Sequence, residues 1–372
     1  MFVTVERASL LEAVTKLQRV VGSKTSMPVL EGILLSAEQG KITLVSYNLE
    51  MGMKKEIYAS CEKAGDIVIN ARLLADFLRR LNGLQVEIET DDRLNCHIKS
   101  GEANFDIMGM NATDFPEIPS VGEGNTISIE ADIMADMIKT TIFAAATNEG
   151  AKPILTGINF CVEDSYLRLV GIDGYRLAVK TEKVKETKNI EFTVSNKAVS
   201  EVLKLIGEDS ENVEIKVSNR LISFNIDGYD FISRLIEGEF VYYKKTLPEG
   251  HKQRVEVNTL DLINTIERVS LLISESFSTP IRCYFNELNV VFTCATTVGR
   301  ATETFNTKLE GESFDIGLNS RYLLGALRAI EDDQIQIHFN GPTAGILLTP
   351  LEGDNFKYMI MPMRLKLWNI KE

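Results

Sequence analysis

Ile69-Asn70-Ala71-Arg72-Leu73-Leu74-Ala75-Asp76-Phe77-Leu78-Arg79-Arg80-Leu81 reads as an extended stub running into a helix. Leu74, Phe77, Leu78 and Leu81 recur at helical spacing and form an apolar stripe, while Arg72 and Arg79 stand two turns apart on the opposite side. The passage returns twice. Val194-Ser195-Asn196-Lys197 leads into a run ending Val202-Leu203-Lys204-Leu205-Ile206, and Leu318-Asn319-Ser320-Arg321 into one ending Ala326-Leu327-Arg328-Ala329-Ile330. The leading cations lie 125 and 124 residues apart. Two further markers keep the same phase. A Pro-apolar pair follows a helix-like stretch at Pro28, Pro153 and Pro280, at separations of 125 and 127, and a late aromatic recurs at Phe105, Phe231 and Phe356, at 126 and 125.

A period near 125 is far longer than a solenoid unit, so each copy is a domain in its own right. The expected spans are 1–120, 126–249 and 252–372, cut at the turn-rich segments Pro119-Ser120-Val121-Gly122-Glu123-Gly124 and Leu247-Pro248-Glu249-Gly250. Within each copy the order reads strand, helix, strands, helix, strands. The first helix of the chain is visible in Ser9 to Leu17, and alternation in Asn212 to Val217 marks strands. Elements in this order predict an α+β domain with one sheet face packed on two helices.

The 372 residues contain 44% hydrophobic and 25% charged side chains, an ordinary globular composition that excludes a disordered or low-complexity chain. Net charge is −13, which argues against nucleic acid binding by the surface as a whole. The charge is segregated, however. The three repeated helical runs hold seven basic and two acidic residues, a balance of +5 that leaves −18 on the rest. One solvated charged face is ordinary for a helix. Three in phase make a positive surface suited to a phosphate backbone, with no group that reads base edges. The expected contacts include Lys204, Arg321 and Arg328.

Other chemistries find little support. Five scattered cysteines without a Cys-x-x-Cys pair suit a reduced compartment, and three isolated histidines suit no zinc site. No basic leader precedes an apolar run and no stretch reaches membrane-spanning length, so a cytoplasmic protein without membrane contact is expected. No phosphate-cradling G-x-x-x-x-G-K-[ST] occurs, and no cofactor is expected. Two rival readings remain: a metal-dependent nuclease using Asp91-Asp92 or Asp332-Asp333, and a repeat-built scaffold that binds proteins alone. The acid pairs sit in turn-like polar segments without a third ligand, which favours solvated loop acids.

Gly171-Ile172-Asp173-Gly174-Tyr175-Arg176-Leu177-Ala178-Val179, Ser233-Arg234-Leu235-Ile236-Glu237-Gly238-Glu239-Phe240 with Leu247-Pro248, and Met361-Pro362-Met363-Arg364-Leu365 resemble the beta sliding clamps, processivity subunits of the bacterial replicative DNA polymerase III. The resemblance spans essentially the whole chain. It implies a non-catalytic, head-to-tail homodimeric ring of six domains around duplex DNA, helices inside and sheets outside. The implied partners are the polymerase alpha subunit, an ATP-dependent clamp loader and other proteins carrying a clamp-binding motif. Its DNA-facing positions fall on Lys24, Arg72, Arg79 and Lys197, with Asn148 and Lys152 on the corresponding loop. Its partner-peptide pocket falls on Leu155, Ile172, Gly174, Tyr175, Arg176, Leu177, Val241, Lys245, Thr246, Tyr322, Thr343, Gly345, Ile360, Met361, Pro362 and Met363. Ordinary core packing is the plain alternative for Leu155, Leu177 and Ile360. The implied dimer seam sets Phe105 and Ile107 of one protomer against Leu272 and Ile273 of its partner.

The chain departs from the family pattern at Val241, a usual proline, Lys245, a usual arginine, and Thr246, a usual valine. It also runs on through Lys366-Leu367-Trp368-Asn369-Ile370-Lys371-Glu372. Leu365-Lys366-Leu367-Trp368 resembles the Leu-x-Leu-Phe end of partner peptides. Seven residues reach roughly 23 Å when extended, so Leu367 and Trp368 are expected near the pocket.

Overall fold

The computed structural model describes residues 1–22, 26–148, 150–185, 188–273 and 279–365. Six α-helices occur among them: α1 Arg7–Leu17, α2 Ala71–Arg80, α3 Ala131–Ile142, α4 Asn196–Leu205, α5 Thr259–Ser270 and α6 Ser320–Leu327. The helices α2, α4 and α6 begin 125 and 124 residues apart, so the sequence period is a structural one.

The residue before each of these helices stops the strand and starts the turn. Asn70 Oδ1 accepts from Leu73 N at 3.0 Å, Ser195 Oγ from Ala198 N at 3.2 Å, and Asn319 Oδ1 from Arg321 N at 3.0 Å. The repeated prolines have a local role too. Pro28 and Pro153 occupy the first turn of short 3₁₀ helices, Pro28–Glu31 and Pro153–Thr156, where a missing N–H costs nothing. Pro280 instead leads directly into the strand Ile281–Phe285. Each late aromatic lies within the third strand after its repeat's second helix: Ala103–Met108, Tyr229–Arg234 and Phe356–Ile360.

The chain forms two compact units. The first comprises residues 1–134 and 200–235. Its twelve strands share one sheet, in which Met51–Lys63 pairs antiparallel with Tyr229–Arg234 and so joins segments far apart in sequence. The strand Ala103–Met108 ends one side of this sheet and Asn125–Glu130 the other. Leu10, Ala13, Val14 and Leu17 of α1, and Leu74, Ala75 and Leu78 of α2, are fully buried where these helices meet each other and the strands. The turn Asp227-Gly228 has φ of +51° and +73°, the left-handed pair that a two-residue hairpin requires.

The second unit comprises residues 135–199 and 236–372. A nine-stranded sheet runs from Ile190–Ser195 at one edge to Leu309–Glu310 at the other, with Arg176–Lys183 and Phe356–Ile360 adjacent at its middle. A four-stranded sheet, Arg300–Asn306, Asn289–Ala295, Ile281–Phe285 and Phe314–Leu318, stands apart from it. Their common core is apolar and dense, built from α5, α6 and both sheets, with Phe285, Phe314 and Phe339 in mutual contact.

Candidate functional site

Six of the predicted DNA contacts are helix or helix-end residues turned to solvent. Arg72 and Arg79 on α2, Lys197 and Lys204 on α4, and Arg321 on α6 with Arg328 at its C-cap are all exposed. The buried residues of the same helices lie opposite: Leu74, Ala75 and Leu78; Val199 and Val202; Leu323, Leu324 and Leu327. A seven-residue step returns a side chain to nearly the same side of a helix, so each pair forms one cationic edge. The two members differ. The later cation of each pair is held by a carboxylate: Arg79 Nη1 to Asp76 Oδ1 at 3.0 Å, Lys204 Nζ to Glu201 Oε1 at 2.7 Å, and Arg328 Nη2 to Glu267 Oε1 at 2.7 Å. Among the described residues, Arg72 and Lys197 carry no such pair. Lys152 and Asn148 are exposed on the loop before Pro153–Thr156, and Lys24 lies outside the described residues. Arg19, which the sequence reading left out, adds to this surface in the first unit: its guanidinium donates to the Lys204 carbonyl at 3.0 Å, across 185 residues of chain.

The second unit also contains a mostly apolar hollow of about 450 Å³. Ile172, Gly174, Tyr175, Arg176, Leu177, Thr246, Gly345 and Met361, all expected there, line it, together with Pro248, Ala344 and Met359, which were not expected. Strand register explains the floor: Leu177 pairs with Met359, and Met359 in turn with Leu347. Beneath lies a small core of Val170, Ile172, Leu177, Val179, Tyr243 and Met359, against which Leu155 packs. Burial pushes the Tyr243 phenol up to about 12, so it stays protonated.

The rim is held by one carboxylate. Asp173 Oδ1 accepts from Tyr175 N at 2.8 Å and Arg176 N at 2.9 Å, and its Oδ2 accepts from Arg176 Nε at 2.9 Å. Gly174, with φ of +91°, completes the turn. So fixed, the Arg176 guanidinium lies 4.6 Å from the Tyr322 ring centre and 5.8 Å from that of Phe143, while Tyr175 stacks on Tyr322 at 6.2 Å. Burial, with the Asp173 charge second, raises the Tyr322 phenol.

The remaining expected pocket residues do not line the hollow itself, although Tyr322 meets its rim through Tyr175 and Arg176. Thr343, Pro362 and Met363 line a second cavity with Asp315, Ile316 and Gly317. Ile360 is fully buried in the main core of this unit, and Tyr322 packs against that core. Val241 and Lys245 are exposed, the latter's amino group 5.4 Å from the Tyr242 ring centre. Leu367 and Trp368 lie outside the described residues.

At the expected dimer seam, Phe105 and Ile107 occupy the edge strand Ala103–Met108, half-buried, with Phe105 stacked on Phe77 at 4.5 Å. Leu272 and Ile273 are half-buried after α5, against the core of the second unit. Of the rival acids, Asp91 serves a turn: it accepts from the Asn95 side-chain amide, Asn95 N and Arg93 N, and these hydrogen bonds, that of the Asn95 side chain first, hold its carboxyl below the usual range. No group of three potential metal-ligating side chains comes together among the described residues. No described helix is long and apolar enough to cross a membrane.

A repeat-built α+β chain with a cationic helix edge in each copy and a peptide-sized hollow is the class this geometry defines. Residues 1–119, 128–241 and 244–364 match, in that order, the N-terminal, central and C-terminal domains of the DNA polymerase III beta subunit. The chain belongs to the DNA polymerase III beta subunit family. It is 27% identical over 375 residues to the beta sliding clamp of Bacillus subtilis, covering 97% of this chain and 99% of that one. It is also 27% identical over 372 residues to the beta sliding clamp of Staphylococcus epidermidis, at 97% and 98% coverage. Among solved structures, the DNA polymerase sliding clamp from Bacillus subtilis superposes with a TM-score of 0.95 at 26% identity, over 98% of this chain and all of that one. The DNA polymerase III subunit beta from Pseudomonas aeruginosa gives 0.93 at 26%, with the same coverage.

Proposed function

We propose that this chain is a DNA sliding clamp: a processivity subunit, without catalysis of its own, that encircles duplex DNA and tethers a polymerase to it. The observation that carries this reading is the exposed cationic edge repeated on α2, α4 and α6, set on an otherwise acidic chain. Single cations and weak pairs make exchangeable phosphate contacts with no fixed register, which permits sliding. Retention then comes from topology. A closed ring requires a second copy, with Phe105 and Ile107 of one protomer meeting the partner's Leu272 and Ile273, and three clamp domains per chain cut near 120–126 and 249–252. The hollow bounded by Tyr175, Arg176 and Met361 suits a short apolar peptide, offering an adaptable methionine and aliphatic wall with a few fixed polar groups. The polymerase alpha subunit, an ATP-dependent loader and other motif-bearing proteins are the partners proposed for it, in the cytoplasm. Loading onto nicked circular DNA by a clamp loader tests the whole reading. The protein is expected to stay on the circle through gel filtration and to run off after a single cut linearises it. Equal loss from both forms would overturn the reading.

A further inference from the structure

Two thioethers converge on the floor and lip of the apolar hollow. A Cβ built on Gly345 would stand 3.1 Å from Met359 Sδ and 3.3 Å from Met361 Sδ, so both sulfurs crowd one bare backbone position. They differ in access: Met361 is 37% exposed at the lip, Met359 only 8% at the floor. The backbone holds Met361 in place, its N–H donating to the Tyr175 carbonyl at 2.7 Å, beside the stacked rim. Met363, two residues on, turns to the second cavity instead.

We propose that Met361 is an oxidation-sensitive modification site that switches the hollow from open to closed for apolar peptides. The inference rests on the peptide-docking reading above. A lone pair on Sδ attacks one oxygen of hydrogen peroxide. An S–O bond forms as the O–O bond breaks, the departing hydroxide takes the proton of the new sulfur-bound hydroxyl to become water and leave the sulfoxide, and the sulfur loses the two electrons that the peroxide gains. The product is a polar, chiral sulfoxide at the mouth of a hollow whose apolar walls include Ile172, Leu177, Pro248, Ala344 and Met359, with Tyr175, Arg176 and Thr246 also lining it. An apolar peptide seated there would strip water from the S=O group without replacing its hydrogen bonds, which costs binding. Nothing need unfold, because the sulfoxide can keep facing water while the hollow is empty. A dithiol-dependent sulfoxide reductase reverses the step, with the oxygen leaving as water and the dithiol closing to a disulfide.

The test uses the full chain and a fluorescein-labelled, methionine-free peptide ending Leu-Ala-Leu-Phe, followed by fluorescence anisotropy before and after limited hydrogen peroxide treatment. Peptide mass mapping should place the first added oxygen in this hollow on Met361, and prior saturation with unlabelled peptide should protect it. Affinity should fall about tenfold and return on treatment with methionine sulfoxide reductase. Met361→Leu is compared with its own untreated form, whatever its starting affinity, and peroxide should leave that ratio near one. Unchanged affinity with Met361 fully converted to sulfoxide, or an equal loss in Met361→Leu, overturns the switch while leaving the docking reading intact. No peptide binding before oxidation overturns both.

Discussion

Asp173 shows how much of the hollow rests on a single side chain. One carboxylate caps two backbone amides and orients Arg176, which in turn lies against Tyr322 and Phe143. Asp173→Ala removes three hydrogen bonds around a largely buried guanidinium. A loss of about 1–3 kcal/mol in unfolding free energy is expected in urea titration, with weaker binding of a Leu-x-Leu-Phe peptide. Arg176→Lys tests the geometry separately. It keeps the charge but loses the planar fork and the ring contact, so peptide affinity should fall while urea stability changes less than in Asp173→Ala. The resemblance supplied eight of the lining residues, Gly174 among them. Met359 was not found, because its place depends on which strands become neighbours and alternation along one strand carries no information about its partner, while Pro248 and Ala344 lie in loops with no local periodicity to place them.

Helices were the readable elements and long-range strand pairs were not. The cationic edges of α2, α4 and α6 follow from spacing alone, whereas the pairing of Met51–Lys63 with Tyr229–Arg234 has no local signal. That seam has its own chemistry. Tyr229, 2% exposed, lies between the amino groups of Lys16 and Lys55, 4.5 and 4.3 Å from its ring centre, with its hydroxyl 3.4 Å from Glu12 Oε1. Burial drives the phenol pKa upward and the Lys55 ammonium downward, and the Lys16 hydrogen bond holds Glu12 low. Tyr229→Ala should therefore cost about 3–5 kcal/mol in the first unit, measured by urea unfolding, and Tyr229→Phe under about 1.5 kcal/mol, since the ring and both cation contacts remain. In the second unit the strand Gln334–Phe339 carries a pH-dependent element. Burial first, then the charges of His251 and Arg254, push His338 down to about 4, while its Nε2 bonds Thr349 Oγ1 at 2.9 Å. The unfolded chain thus binds a proton near pH 6.5 that the folded chain refuses until about pH 4. Stability contributed by the neutral ring is complete above pH 6.5 and declines as pH falls through that window. His338→Gln should flatten the stability-against-pH curve between those limits by up to about one proton, with little change at pH 8.

For the whole molecule, two kinds of retention on DNA must be separated, because charge and topology respond differently to salt. Direct affinity for duplex comes from phosphate contacts and falls with salt at a slope of about 0.9 per neutralised phosphate. Linkage around the duplex has no such dependence as long as the ring stays closed. Arg72 and Lys197, which have no ion-pair partner among the described residues, compete with no carboxylate for contact with phosphate. Arg72→Ala with Lys197→Ala should therefore weaken association with short linear duplex and reduce the magnitude of its log–log salt slope by roughly two. The same variant, once loaded on a nicked circle, should be retained as long as the unmodified protein at moderate salt. An Ile107→Asp change on the edge strand Ala103–Met108 should do the reverse. It places a charge at the proposed seam, leaves the cationic helix edges untouched, and should shift sedimentation toward monomer and shorten the half-life on the circle, with the salt slope on linear duplex preserved. If circle retention instead tracked the Arg72 and Lys197 changes and ignored Ile107→Asp, the protein would be holding DNA by charge, and encirclement would be the wrong account of it.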